Sequence, residues 1–106
     1  GVGADERFVF AVDATGVLNA YSKDSGTSVW KNNKLLYRGL TTPVSFGDAV
    51  VVGDLAGYLH FLSRDDGLFV ARVPTDGSAV SGNPVIAGSN LIVQTKGGSV
   101  VAVGIN

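Results

Sequence analysis

Residues 51–61 read VVGDLAGYLHF, and this stretch decides the fold because the pattern around it recurs at a fixed spacing. Its turn glycine, Gly57, has counterparts at Gly16 and Gly98, each 41 residues away. The apolar run at 50–52 is likewise matched by runs one repeat earlier and one repeat later. A period near 40, filled with short apolar strands and turn residues, is typical of a β-propeller blade. The sequence therefore predicts an all-β chain, a fragment of a β-propeller with about two and a half blades.

Each repeat divides into four short strands separated by turns. Val, Phe, Tyr and Leu cluster in runs that glycines interrupt at the spacing of a β pattern, which excludes a helical solenoid. A non-repetitive β-sandwich would not keep the period. The pattern predicts antiparallel strands throughout and no helix longer than two turns. The predicted strands are 8–12, 17–21 and 27–31 in the first repeat, 43–46, 49–53, 58–63 and 68–73 in the middle repeat, and 83–87, 90–95 and 99–104 in the last repeat.

On this basis the chain is predicted to hold one complete four-stranded blade between two incomplete ones. The complete blade covers residues 42–82, an incomplete earlier blade covers 1–41, and an incomplete last blade covers 83–106. The first strand of the earlier blade is expected to be missing or reduced to residues 1–5. Because the chain opens without an initiator Met or a signal-peptide pattern, we expect it to be part of a longer protein.

Composition and charge exclude several classes of function. A net charge of −1 at pH 7 gives no electrostatic footprint for nucleic acid or an anionic membrane. The absence of cysteine removes disulfides, thiolate catalysis and the usual zinc sites. Hydrophobic residues make up 45 % of the chain and charged residues only 16 %, which indicates surface meant to be covered by more protein.

Several stretches resemble a known family. Residues 20–31, AYSKDSGTSVWK, are similar to the quinoprotein-type repeat, in which a strand, a D-x-G turn and a Trp-ended strand recur. Within that superfamily, residues 39–44 and 51–61 resemble the C-terminal blades of the BamB family, the lipoprotein propellers of the outer-membrane β-barrel assembly machinery. Residues 65–71 and 91–98 continue the match.

The resemblance implies a non-enzymatic, eight-bladed scaffold without a cofactor or metal. Such a protein is anchored by an N-terminal lipid on the periplasmic face of the outer membrane and binds the periplasmic domains of the central barrel subunit. One alternative is a fragment of a PQQ-dependent quinoprotein dehydrogenase, but this chain lacks the required Cys pair and calcium ligands and has one Trp. A second alternative is a sensor or carbohydrate-binding propeller, for which Tyr37 alone offers an aromatic contact.

The chain offers few candidates for catalytic or metal-binding chemistry. His60 is the single histidine, and the equivalent repeat positions are Asn19 and Val101, so the repeat builds no ring of ligands. We interpret His60 as a packing residue. The aspartates that recur near glycines open turns, where a carboxylate accepts hydrogen bonds from backbone N–H groups; they are Asp13, Asp24, Asp54, Asp65 and Asp66. Trp30 is expected to link neighbouring blades.

The best candidate for a binding surface is the segment 32–41, NNKLLYRGLT, which connects two blades and therefore emerges on a face of the propeller. Lys34, Tyr37 and Arg38 are predicted to face a protein partner, because Tyr and Arg are enriched at interface anchors. In a simpler interpretation Leu35, Leu36 and Leu40 pack between blades and leave only those three side chains at the surface.

The strand count also predicts that the isolated fragment self-associates. A propeller removes its sheet edges by closing in a circle and covers each blade with its neighbours. Two and a half blades leave two outer faces bare, and we expect alternating apolar residues of 8–12 and 90–93 to line them.

Overall fold

The apolar runs between glycine turns form short β-strands in a computed structural model, which describes residues 2–104. Nearly all the strands fall within a residue or so of the predicted positions. Within that range the eleven strands are β1 (Val2–Ala4), β2 (Phe8–Val12), β3 (Leu18–Ser22), β4 (Ser28–Asn32), β5 (Val44–Phe46), β6 (Ala49–Gly53), β7 (Tyr58–Ser63), β8 (Phe69–Pro74), β9 (Val80–Ala87), β10 (Asn90–Thr95) and β11 (Val100–Gly104).

The strands form three sheets in which every neighbouring pair is antiparallel, so the predicted propeller-type architecture is confirmed. The first sheet has the order β1-β2-β3-β4, the middle sheet β5-β6-β7-β8, and the last sheet β11-β10-β9. The first strand of the first sheet, expected to be missing or confined to residues 1–5, lies within that stretch as Val2–Ala4. Residues 2–104 hold no helix long and apolar enough to cross a membrane.

The 41-residue repeat is visible in the backbone as well as in the sequence. Gly16, Gly57 and Gly98 occupy the same turn of successive sheets, with φ values of 99°, 87° and 97°. This left-handed region favours glycine, because a Cβ atom there approaches the following carbonyl oxygen. The recurring glycine therefore fixes the hairpin turn that follows the second strand of each unit.

Strands β6 and β7 of the middle sheet are buried on both faces, which explains the continuous apolar run in β6. Successive side chains of a strand point to opposite faces. Val50 and Val52 pack with Phe10 and Leu18 of the first sheet, whereas Val51 packs in a second cluster with side chains of the last sheet, including Leu91 and Val93. Two cores therefore lie on opposite sides of one four-stranded sheet.

The prediction that apolar residues of 8–12 and 90–93 line bare outer faces was wrong for one face of these strands, whereas Val9 and Ile92 on the other face are only half-buried. Phe8, Phe10, Leu91 and Val93 are buried, because their alternation turns them toward the middle sheet and into the two cores. The large apolar side chains that remain exposed in the two terminal sheets lie at other positions, which are Val2, Val29, Val85, Ile86 and Val100.

Candidate functional site

The connection between β4 and β5 carries the three side chains predicted to face a partner, and its backbone is held at several points. Asn32 begins it: its buried Nδ2 donates to the Gly67 carbonyl at 2.9 Å, and its Oδ1 accepts from the Lys34 N–H at 2.9 Å. Leu35 is buried in the core between the first and middle sheets. Further along, the Tyr37 N–H donates to the Thr15 carbonyl at 2.8 Å. The segment is therefore an ordered surface.

Lys34, Tyr37 and Arg38 all reach solvent. Tyr37 is 82 % exposed, and its φ of 60° makes it the one non-glycine residue of the described chain in the left-handed region. An aromatic side chain in that conformation costs about 1–2 kcal/mol relative to the ordinary helical or extended conformation. Leu36, one of the side chains that the simpler interpretation packs between blades, also remains exposed.

Arg38 connects this segment to a buried polar centre in the middle sheet. Its Nη1 lies 3.5 Å from Oδ2 of Asp54, and its carbonyl accepts a hydrogen bond from the Leu55 N–H at 3.0 Å. The Arg38 side chain is 41 % exposed, whereas that of Asp54 is 1 % exposed. The guanidinium therefore lies at the boundary between the buried carboxylate and solvent, with an orientation that the carboxylate constrains.

Asp54 is the centre of this network. Its Oδ1 accepts from the backbone N–H groups of Ala56 and Tyr58, both at 2.9 Å, and its Oδ2 lies 2.7 Å from Nε2 of His60. Burial alone would raise the pKa of Asp54, but the hydrogen bonds from His60 and Tyr58 hold the pKa below its ordinary value. An ionised carboxylate can only accept hydrogen bonds, so the network assigns a proton to His60 Nε2.

His60 is buried between this carboxylate and two aromatic rings. Its ring centroid lies 6.3 Å from those of Tyr58 and Phe69. His60 and Asp54, which were assigned separate packing and turn roles from the sequence, form a pair in the structure. The missing signal is the hairpin register: Val52 pairs with His60, so Asp54 in the turn comes within reach of the imidazole.

The predicted turn role of the recurring aspartates is confirmed for Asp13, Asp54 and Asp66. Asp13 Oδ1 accepts from the N–H groups of Thr15, Gly16 and Val17. Asp66 Oδ1 accepts from the Leu68 N–H at 3.0 Å. Residues 2–104 contain no group of three or more His, Cys, Asp or Glu side chains placed to hold a metal ion.

The predicted contact of Trp30 with a neighbouring sheet is also confirmed. Its Nε1 donates to the Arg64 carbonyl at 2.8 Å, across from the first sheet to the middle one. The ring lies against Gly67, where an added Cβ would stand 2.3 Å from the ring carbon Cε3. Trp30 and Asn32 together position the start of the connecting segment on the middle sheet.

A comparison with known proteins places this architecture in a family. The family model described as Outer membrane protein assembly factor BamB matches residues 1–106. The chain belongs to the BamB family. The resemblance noted in the sequence is thereby confirmed over the full stretch.

Individual BamB proteins agree with this assignment. The BamB of Burkholderia pseudomallei is 48 % identical over 100 residues, which are 94 % of this chain and 26 % of that protein. The Escherichia coli BamB is 37 % identical over 99 residues, which are 93 % of this chain and 25 % of that protein. The crystal structure of BamB from Moraxella catarrhalis matches with a TM-score of 0.89 at 30 % identity, covering 98 % of this chain and 30 % of that one. The chain thus spans about a quarter of the length of the curated BamB proteins it matches.

Proposed function

We propose that the protein containing this segment is a scaffold of the outer-membrane β-barrel assembly machinery, at the periplasmic face of the outer membrane. Family membership over residues 1–106 carries the proposal, because the family description is that of an outer membrane protein assembly factor. The proposal includes an eight-bladed propeller with an N-terminal lipid anchor, in which the middle sheet, β5 to β8, forms one complete blade and the sheets on either side of it belong to the two neighbouring blades. The scaffold role is non-enzymatic.

We further propose that the segment contributes a contact to the periplasmic domains of the central barrel subunit through Lys34, Tyr37 and Arg38. The geometry of Tyr37 supports this: a bulky aromatic side chain is held in a costly backbone conformation and yet buries little of its own surface. Strained residues of this kind cluster at functional sites. Arg38 stands next to it with part of its guanidinium in solvent, and Tyr and Arg are the residue types most enriched among interface hot spots.

The experiment is capture of the full-length protein by the purified barrel subunit, comparing wild type with Tyr37→Ala and Arg38→Ala. Each variant should weaken capture by about 2 kcal/mol if its side chain is an interface anchor. Arg7→Ala is the matched control, because Arg7 is exposed and its ion pair with Asp65 is long, at 4.0 Å. Thermal melting should be nearly the same for Tyr37→Ala and Arg7→Ala, whereas Arg38→Ala loses its ion pair with the buried Asp54 and should melt at a lower temperature. Wild-type capture by both test variants would remove this segment from the interface.

The alternative, a quinoprotein dehydrogenase, has a direct test in the same protein. Its cofactor chemistry requires side chains that ligate calcium and quinone, and residues 2–104 contain no group of three or more His, Cys, Asp or Glu side chains placed to hold a metal ion. Saturable quinone binding at micromolar affinity by the full-length protein, with added calcium, would favour that alternative over the scaffold.

A further inference from the structure

A cavity of about 370 Å³ lies between the connecting segment and strand β8. Lys34, Leu35 and Arg38 line it from one side, and His60 and residues 69–72 line it from the middle sheet. Its volume falls within the range of ordinary ligand pockets, roughly 300–1,000 Å³. Strand β8 pairs only with β7 within residues 2–104 and is the outermost strand of its sheet.

The cavity is positively charged in a chain that is slightly negative overall. Three cationic side chains line it, those of Lys34, Arg38 and Arg72, and no acidic residue does. Among the described residues, Lys34 and Arg72 form no ion pair, and Arg38 pairs only with the buried Asp54. Unpaired cations that converge on one cavity favour an anionic ligand, since their hydrogen bonds to a carboxylate are charge-assisted.

The internal repeat shows that the fold does not require most of these side chains. One repeat after Lys34 and Arg38 the chain has Thr75 and Ala79. One repeat before Phe69 it has Ser28. The corresponding positions build the same type of sheet without the aromatic ring or the two linker cations. Of these side chains, Lys34 forms no ion pair within residues 2–104 and is therefore available to a ligand.

An apolar surface adjoins the cations and narrows the class of ligand. Phe69 and Val70 are both exposed, 43 % and 66 % respectively, and the Phe69 ring is held edge-on against His60. Arg72 is extended over the ring of Tyr58, with its guanidinium carbon 4.7 Å from the ring centroid. A peptide with an acidic residue next to a large apolar one matches this arrangement, because it offers a carboxylate and an apolar group side by side.

We propose that this cavity binds an acidic peptide segment of a partner protein. A Glu or Asp carboxylate of the peptide contacts Lys34 and Arg72, and a neighbouring apolar side chain packs on Phe69. The inference rests on the proposed function in treating the protein as a scaffold for protein partners. The peptide-binding cavity and the proposed barrel-subunit contact differ in their residues. Arg72 and Phe69 belong to the cavity alone, whereas Tyr37 belongs to the barrel-subunit contact and does not line the cavity.

The test is fluorescence anisotropy of the full-length protein with a short fluorescein-labelled peptide of alternating Glu and Leu. The same peptide with Gln in place of Glu should bind at least ~10-fold more weakly, as expected when one charge-assisted hydrogen bond is lost. Lys34→Glu and Arg72→Glu should each reduce affinity for the Glu peptide by ~10-fold or more for the same reason. Circular dichroism identifies any variant that fails to fold, and the other variant then carries the test.

Lys23→Glu is the matched control, because it makes the same charge change at an exposed lysine outside the cavity. It should leave peptide affinity unchanged. An equal loss in Lys23→Glu, equal binding of the Gln peptide, or no saturable binding of the Glu peptide would each overturn the proposal. Tyr37→Ala should not affect peptide binding. The two proposals can be separated by two variants. Tyr37→Ala should lose barrel-subunit capture and keep peptide binding, whereas Arg72→Glu should lose peptide binding and keep capture.

Discussion

The buried pair Asp54 and His60 can be exchanged for the pair that the next repeat carries at the same positions, Thr95 and Val101. The next repeat thus provides a template for the exchange: Thr95 Oγ1 accepts the Ser99 N–H at 3.1 Å, as Asp54 Oδ1 accepts that of Tyr58. We expect the losses of stability in the single variants Asp54→Thr and His60→Val to add up to more than the loss measured in the double variant.

The magnitudes follow from the hydrogen bonds that each change removes. Asp54→Thr keeps an acceptor for the Tyr58 N–H but leaves the buried Nε2–H of His60 without a partner, and should cost about 3 kcal/mol. His60→Val leaves the carboxylate with its backbone donors and Arg38, and should cost about 1.5 kcal/mol. The double variant should cost about 2.5 kcal/mol, because no buried donor then remains unpaired; the coupling energy is about 2 kcal/mol.

The assay is urea denaturation of the full-length protein and the three variants at neutral pH. The free energies of unfolding are compared with one m-value, the slope against urea concentration, for all four proteins. A double variant whose loss equals the sum of the single losses would show that the two side chains act independently. A cost below about 0.5 kcal/mol for Asp54→Thr would show that the imidazole finds another partner or water. Either result would refute the reasoning.

Three further outcomes are expected. Gly67→Ala should destabilise the protein by about 3 kcal/mol in urea denaturation, because the new Cβ meets the Trp30 ring. The control Gly26→Ala has a φ of 70° and open space around it, and it should cost about 1 kcal/mol. Equal costs for the two variants would contradict this reasoning. The pKa of Asp54 is lowered on folding, so its stabilisation is present above its ordinary value of 3.8 and lost as pH falls through the folded value; acid titration of stability should therefore be shallower in Asp54→Thr than in wild type. Residues 1–106 produced alone should self-associate in light scattering, since exposed apolar side chains remain on both terminal sheets; a stable monomer with cooperative melting would contradict this.

The sequence was sufficient for the strands that alternate cleanly, and it failed where a strand contains turn residues. Strand β9 was predicted at 83–87 but begins at Val80. Gly82 and Pro84 normally interrupt a strand, yet here the register between β9 and β10 shifts at that point, which accommodates both as a bulge. Local propensity cannot reveal a bulge that the partner strand stabilises.

The candidate site was predicted only in part for a similar reason. Lys34, Tyr37 and Arg38 lie within one five-residue stretch, 34–38, so residue type and a position between two blades were enough to select them. Asp54 and Arg72 come from other elements, and only the antiparallel register of the middle sheet brings them near Arg38. The cavity and the buried carboxylate depend on that long-range geometry, which one sequence does not specify.

The middle sheet packs one core against each of its faces, and this arrangement determines the order in which the segment should unfold. Loss of contact with either neighbouring sheet exposes one face of β6 and β7 while the other face stays covered. In repeat architectures stability is a sum of unit and nearest-neighbour terms, so these two strands need both interfaces to fail before their amides exchange with solvent. Amide hydrogen exchange should consequently be slowest in β6 and β7 and become faster toward β1 and β11, making the middle sheet the last part of the segment to unfold.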